Sequence, residues 1–347
     1  MTGAVCAGLA AALVFAAGRA ALACTTVCID GDRPVVAYNY DFHPSEGLLL
    51  VNQRGVTRRS AVSPGGAVWT SRHGSVTFNQ FGRDNPTTGM NERGLMVSLM
   101  WLDGTKYPPA DARPVTGILE WIQYHLDRDA TVAEVIGSAG EVRPTSPTPI
   151  HYLFADATGD VAVVEFLGGK LVVHRGANLP VRALANDTYE ESVRAYEAAK
   201  RAGTIPPSRG SLDRFVRGAM LAAKGGDPVA RGFEVLASVA NPGYTRWSVV
   251  YDLGNRVVNF KTDTNQEIRR LRLGGLDFAC GGTMKMLDVT TAGSGDVAGR
   301  LVPWTRAANR ALIEASFDQT PFLRSTPPAE RESAAAHADE TSTCAGR

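Results

Sequence analysis

Cys24 follows Ala21-Leu22-Ala23, and an apolar stretch from Ala4 to Ala17 precedes that tripeptide. Small-x-small after an apolar segment is what signal peptidase accepts. Residues 1–23 therefore read as a secretory signal, and Cys24 as the first residue of a mature, periplasmic or secreted chain. A free N-terminal cysteine holds two groups that acyl-transfer chemistry uses. Its thiol is a strong nucleophile once ionised, and its α-amino group, with an ordinary pKa of about 7.7–8.0, serves as a base near neutrality. When the amine takes the thiol proton, the ammonium so formed steadies the thiolate beside it, and no separate histidine is needed. A polar side chain must still orient the amine, and donors must meet the developing oxyanion. The same position has a second explanation, because a bacterial lipoprotein carries its lipid on a first cysteine. The usual lipoprotein signal has Leu three residues earlier, where this chain has Ala21, with Leu22 one place late.

The sequence after Cys24 is suited to holding a side chain still. Cys24-Thr25-Thr26-Val27-Cys28-Ile29 is β-branched and roughly alternating, Asp30-Gly31-Asp32-Arg33-Pro34 reads as a turn, and residues 35–42 read as a second strand. A hairpin with the cysteine at its open end is a poor lipid tether and a good catalytic platform. Asp41 lies on the paired strand, with Tyr38 and Asn39 just before it, and is the candidate to hold the amine. Cys28 falls on the same strand face as Cys24 and reads as a small core residue, with a disulfide or redox partner as the other reading.

Further strands are expected at Leu48–Asn52, 76–79 and 95–101, then an amphipathic helix over 115–126 with Ile118, Leu119, Ile122 and Leu126 on one face. Thr131, with Glu134 three places later, opens a second helix. Strands return at 151–156, Val161–Leu167 and 171–174. Helical patterns cover 188–202, a segment from Ser211 through Leu221, and Pro228–Val239. Residues 246–252 and 257–261 close as a hairpin around Gly254-Asn255. Strands, helices and strands again give an α+β class with antiparallel pairing, not a regular βαβ alternation. One domain is expected over 24–324. Residues 325–347, rich in Ala, Pro, Glu, Ser and Thr without an apolar face, are expected to be a disordered tail, with Cys344 incidental.

Composition excludes several function classes. Among 347 residues, Lys+Arg number 36 against Asp+Glu 35, a net charge of +1. That balance argues against electrostatic binding of nucleic acid or anionic membrane as the main activity. With 44% hydrophobic and 20% charged residues the chain is globular rather than disordered. No internal apolar run reaches transmembrane length, so no integral membrane segment is expected in the mature chain. Five cysteines in this length do not make a disulfide scaffold.

Taken in order, Cys24-Thr25-Thr26, Asn39-Tyr40-Asp41-Phe42 and Gly89-Met90-Asn91-Glu92-Arg93-Gly94-Leu95 resemble the choloylglycine hydrolase and penicillin V acylase family. These are linear-amide C–N hydrolases of the N-terminal nucleophile class. The resemblance continues through Met100-Trp101-Leu102, Ala185-Asn186-Asp187-Thr188-Tyr189, Ser211-Leu212-Asp213-Arg214-Phe215 and Tyr244-Thr245-Arg246-Trp247-Ser248, and spans residues 24 to about 262. It implies an αββα sandwich, two antiparallel sheets between helical layers. It also implies hydrolysis of a non-peptide amide of a small acylated molecule through a thioester acyl-enzyme, with no metal or organic cofactor. By this resemblance Cys24 is nucleophile and, through its amine, base; Asp41 holds the amine; Asn186 donates to the oxyanion, with a backbone N–H near Trp101; and Arg214 supports the site electrostatically. Penicillin V, conjugated bile salts and acyl-homoserine lactones suit the family as substrates, and a homotetramer is its expected assembly.

One position departs from the family pattern. An arginine usually stands three residues before the aspartate, and here that residue is Tyr38. A tyrosine hydrogen-bonds but supplies no fixed positive charge, which bears on thiolate pKa, rate and substrate range. The alternative from another class is a lipid-anchored, non-catalytic ligand-binding protein on the same fold, drawing on Tyr38 and the imperfect lipoprotein signal.

Other signals read as structural. His43, His73, His125, His151, His174 and His337 are scattered without metal-ligand spacing, and Cys24-x-x-x-Cys28 lacks the second pair a zinc site needs. Gly293-Ser294-Gly295 with Gly299 has no Lys-Ser/Thr after it and reads as a loop. Arg58-Arg59 reads as a solvated loop pair. Trp121 and Trp247 read as core, and Trp101 gains weight from its place in the resemblance.

Overall fold

A computed structural model describes residues 24–345 except Lys224, so the expected signal segment at 1–23 lies outside the described residues. Two sheets dominate. The first has seven strands, and its centre is the hairpin Thr25–Ile29 and Val35–Asp41, the latter pairing next with Thr245–Asp252. The second has nine strands, with Met96–Trp101 flanked by Ile150–Ala155 and Pro86–Asn91.

The sheets share one core. Tyr38 and Val249 from the first lie in a single buried cluster with Leu49, Phe78, Met96 and Met100 from the second. Thr26 Oγ1 meets Ser98 Oγ at 2.8 Å across the interface. These contacts follow from the period of two in extended chain: Thr26 and Tyr38 are cross-strand partners and face inward together, while Val27 and Ala37 face outward.

Helices cover both outer faces. Among the described residues these are α1 (Ile118–Arg128), α2 (Val132–Ser138), α3 (Tyr189–Ala202), α4 (Ser211–Ala222), α5 (Pro228–Val239), α6 (Arg306–Gln319) and α7 (Pro328–Thr341). Trp121, Ile122 and Leu126 of α1, with Val132 and Val135 of α2, pack on Val97, Tyr152, Phe154 and Val164 of the nine-stranded sheet. On the other sheet, α4 and α5 approach closely because each presents a glycine. A Cβ on Gly218 would come within 2.7 Å of Val27, and one on Gly232 within 2.9 Å of Val250. The result is the expected αββα sandwich of N-terminal nucleophile hydrolases.

Three sequence expectations are corrected. The helix expected over 115–126 starts only at Ile118, because Val115–Gly117 pairs as a strand with Arg143–Thr145 and the Glu120 carboxylate accepts from Gly117 N–H at 2.8 Å. Arg58 is not solvated: it is buried and paired with Asp84 and, at 2.8 Å, with Asp127 of α1. The segment expected as a disordered tail contains α7 and the short strand Thr343–Cys344, which pairs with Val56–Arg59. Cys344 is bonded to Cys280, so the folded unit continues past residue 324. Small residues hid this helix, since it packs through Ala335, Ala336 and Ala338 rather than through a stripe of large apolar side chains.

Candidate active site

Cys24 sits at the open end of its hairpin, only 4% exposed, and its Sγ donates to the Asp41 carbonyl at 3.8 Å. Its neighbours come from four places in the chain. Tyr38 and Asp41 lie on the paired strand, Asn186 precedes α3, Arg214 is on α4, and Trp101 ends a strand of the other sheet.

Arg214 ties these pieces together. Its Nη1 donates to the Cys24 carbonyl at 3.0 Å and to Thr25 Oγ1, and its Nη2 donates to Asn186 Oδ1 at 2.8 Å. A guanidinium only donates, so these contacts fix the Asn186 amide with its oxygen toward Arg214. The Nδ2 then faces Trp101, donating to its carbonyl at 2.9 Å, and retains a second N–H. Asn186 is also held by its backbone, whose N–H donates to Ser211 Oγ at 2.7 Å. Ser211 is the first residue of α4 behind the N-cap Gly210 and spends its hydroxyl on the Asn186 loop. The backbone N–H following Trp101, that of Leu102, already donates to the Pro149 carbonyl at 3.0 Å, so the second donor expected near Trp101 is not that one.

Asp41 is fully buried and half satisfied. Its Oδ2 accepts from Asn241 Nδ2 at 2.6 Å, whereas Oδ1 accepts no hydrogen bond. Burial pushes its carboxyl up to about 6, against the opposing pull of hydrogen bonds from Thr245 and Asn241 and the charge of Arg214. A buried carboxylate oxygen without a donor is costly, and a cationic donor beside it would offset that cost.

The thiol is also raised. Burial, and then the Asp41 charge, push Cys24 up to about 12, with Arg214 and nearby hydrogen bonding pulling the other way. Tyr38 adds no charge. Its hydroxyl donates to the Leu99 carbonyl at 3.1 Å and also hydrogen-bonds toward Cys24, pulling that thiol down, while burial raises the tyrosine itself well above its ordinary range. With the backbone amide of residue 24 in place of a free amine, Cys24 is a neutral thiol.

A buried network supports Asn186 from behind. Glu165 receives His151 at 3.1 Å and His174 at 3.0 Å, and accepts the Tyr189 N–H at 3.0 Å, while His151 Nε2 lies 2.7 Å from the Ala185 carbonyl. Burial alone would raise the Glu165 carboxyl, but the two histidines outweigh it and hold it at about 2. The network thus grips the residues on both sides of Asn186. The sequence reads His151 and His174 as structural, which agrees with this network, and does not single out Glu165 or Asn241. The available signal was Glu165 as a charge in the middle of the apolar strand Val161–Leu167. Cys28, the other free cysteine among the described residues, is buried at the far end of the hairpin strand. No group of three or more His, Cys, Asp or Glu among the described residues is arranged to hold a metal ion. No helix among them is long and apolar enough to cross a membrane.

Comparison with known proteins gives this geometry a context. The model of the linear amide C–N hydrolases, choloylglycine hydrolase family, matches residues 24–286 and so begins at Cys24. A penicillin V acylase of Pectobacterium atrosepticum is 27% identical, over 81% of this chain and 90% of its own length. The structure of a penicillin V acylase from Agrobacterium tumefaciens superposes with a TM-score of 0.72 at 27% identity, covering 82% of this chain and 98% of that one. The conjugated bile acid hydrolase of Clostridium perfringens, at 15% identity, shares the fold, with a TM-score of 0.65 over 79% of this chain and 98% of its own.

Proposed function

The chain belongs to the choloylglycine hydrolase family of linear amide C–N hydrolases, and from that premise we propose that it cleaves the amide of a small acylated molecule through a thioester on Cys24. The observation that carries this reading is the partnerless Oδ1 of buried Asp41 next to a cysteine whose thiol no nearby base ionises. Removal of residues 1–23 supplies what both lack. The new α-amine takes the Sγ proton, and Asp41 holds the resulting ammonium.

Sγ then attacks the substrate carbonyl carbon, forming a C–S bond, and the carbonyl oxygen gathers negative charge. The second N–H of Asn186 Nδ2 donates to that oxygen in this reading, which the contacts of its amide to Arg214 and Trp101 support. Collapse breaks the C–N bond as the ammonium returns its proton to the leaving nitrogen. Water, deprotonated by the same amine, hydrolyses the thioester and frees Sγ.

Penicillin V is the first substrate to try, because the two relatives at 27% identity are penicillin V acylases. Conjugated bile salts and acyl-homoserine lactones follow. A location outside the cytoplasm fits both the Ala-Leu-Ala site and the Cys280–Cys344 bond. A tetramer, the family expectation, is read by sedimentation equilibrium.

The deciding experiment is intact mass and N-terminal sequence of the secreted protein, followed by mass spectrometry during turnover of the three substrates. The expected result is an unmodified Cys24 N-terminus that gains the acyl mass transiently. Lipidated Cys24, or full turnover by Cys24→Ala, would sink the reading and in the first case favour the lipid-anchored binding protein.

A further inference from the structure

The family match ends at residue 286, yet the chain beyond it reaches back to the site. The connector between α6 and α7 carries Phe322, whose ring lies 6.5 Å from Phe42 and 6.5 Å from Trp101. Phe42 follows Asp41, and the Trp101 carbonyl holds Asn186. Phe322 therefore stands between the residue next to the amine-holding carboxylate and the residue that positions the oxyanion donor. It is half-buried, so part of its ring remains open.

The position of Phe322 is built, not incidental. Arg331 of α7 donates to the carbonyls of Arg324 at 2.8 Å and Thr326 at 3.0 Å, and to the Asp318 carboxylate of α6 at 2.7 Å, closing the connector around residue 322. On the other side α6 is fastened to the chain that frames the site. Ser316 Oγ donates to the Gln80 carbonyl at 2.6 Å, and Gln80 Oε1 accepts from Tyr40, the residue before Asp41, at 2.6 Å. Gly82 lets Ile313 of α6 lie against the same loop, where a Cβ would come within 2.7 Å of it. The Cys280–Cys344 bond anchors the far end of α7.

We infer that Phe322 is a specificity-determining residue, the outer wall of the subsite for the acyl group, and that the C-terminal helical hairpin exists in part to present it. This rests on the amidase reading above. An aromatic wall facing Phe42 and Trp101 selects flat or extended apolar acyl groups and gives a short acyl group nothing to touch.

The test uses the mature protein with N-acyl p-nitroanilides bearing acetyl, hexanoyl and phenylacetyl groups. Phe322→Ala is expected to raise KM for the hexanoyl and phenylacetyl compounds about tenfold, leaving kcat within about twofold and the acetyl compound unaffected. Phe322→Leu should recover most of the hexanoyl affinity. Equal effects on all three compounds, or none, would overturn the assignment. If the wild type cleaves none of them, the amidase reading fails separately. Calorimetric binding of phenylacetyl-p-nitroanilide to Cys24→Ala, with and without Phe322→Ala, then still reports on the wall: affinity that does not change between the two refutes it.

Discussion

Asp41 and Cys24 depend on each other at the scale of single residues, and the dependence has a sign. With chain still attached ahead of Cys24, the Asp41 carboxyl is raised to about 6 by burial, so between its ordinary value and pH 6 the folded protein holds a proton that the unfolded chain releases. Stability of this form should fall as pH rises through that window, by about 3 kcal/mol if the whole shift is expressed. On the proposed mechanism the ammonium at Cys24 removes that penalty, so urea denaturation at pH 4 and pH 7 should show the drop only in the N-terminally blocked form. Catalysis runs the opposite way. The proposed role of Asp41 requires the carboxylate, so kcat/KM should decline on acidification with an apparent pKa at or below about 6, and an unchanged profile in Asp41→Asn would refute the role. Cys24→Ala should lower turnover by at least about 10³-fold with unchanged far-UV circular dichroism. Tyr38→Phe tests the departure from the family pattern. The hydroxyl donates to Leu99 and also hydrogen-bonds toward Cys24, pulling that thiol down, so its loss should cost about 1 kcal/mol of stability and move the thiol limb of the pH–rate profile to higher pH.

Whole elements were legible in the sequence where a local rule dominated. Thr131 caps α2 and accepts from the Glu134 N–H; Thr188 caps α3; Pro228 opens α5 at the expected residue. The hairpin carrying Cys24 and Asp41 was also readable, because alternation and a Gly-Asp turn are local signals. What escaped were contacts between segments far apart in the chain. Glu165, His151 and His174 meet only because three strands lie side by side, and Asn241 reaches Asp41 across 200 residues. Arg58 looked solvated since its carboxylate partners come from two distant segments. The Glu165 network gives an element-scale prediction. Glu165→Gln leaves the two histidines and the Tyr189 N–H competing for one amide oxygen, and should cost about 2–4 kcal/mol of stability. If the network also positions Asn186, kcat should fall more than KM changes, and thermal melts with steady-state kinetics on the same sample would separate the two effects.

At the scale of the molecule, the Cys280–Cys344 bond closes a loop of 64 residues that contains α6, α7 and the connector bearing Phe322. A crosslink of that length restricts the unfolded chain by about 4 kcal/mol in the chain-entropy account. Cys344→Ser should therefore lower the denaturation midpoint while leaving Cys24 chemistry intact, and a midpoint insensitive to the substitution would show that the hairpin docks without its crosslink. On the proposed mechanism the protein finishes its biosynthesis at two separate places: a peptide bond is cut before Cys24, and two thiols are oxidised some 250–320 residues later. For a laboratory host these become independent settings. A gene beginning Met-Cys24-Thr25 and translated in a reducing cytoplasm relies on aminopeptidase trimming for the proposed catalytic amine and gains the crosslink only after extraction. Affinity handles belong at neither end by default. One placed before Cys24 blocks the proposed catalytic amine, and one at the other end follows closely on the strand that carries the crosslinked Cys344.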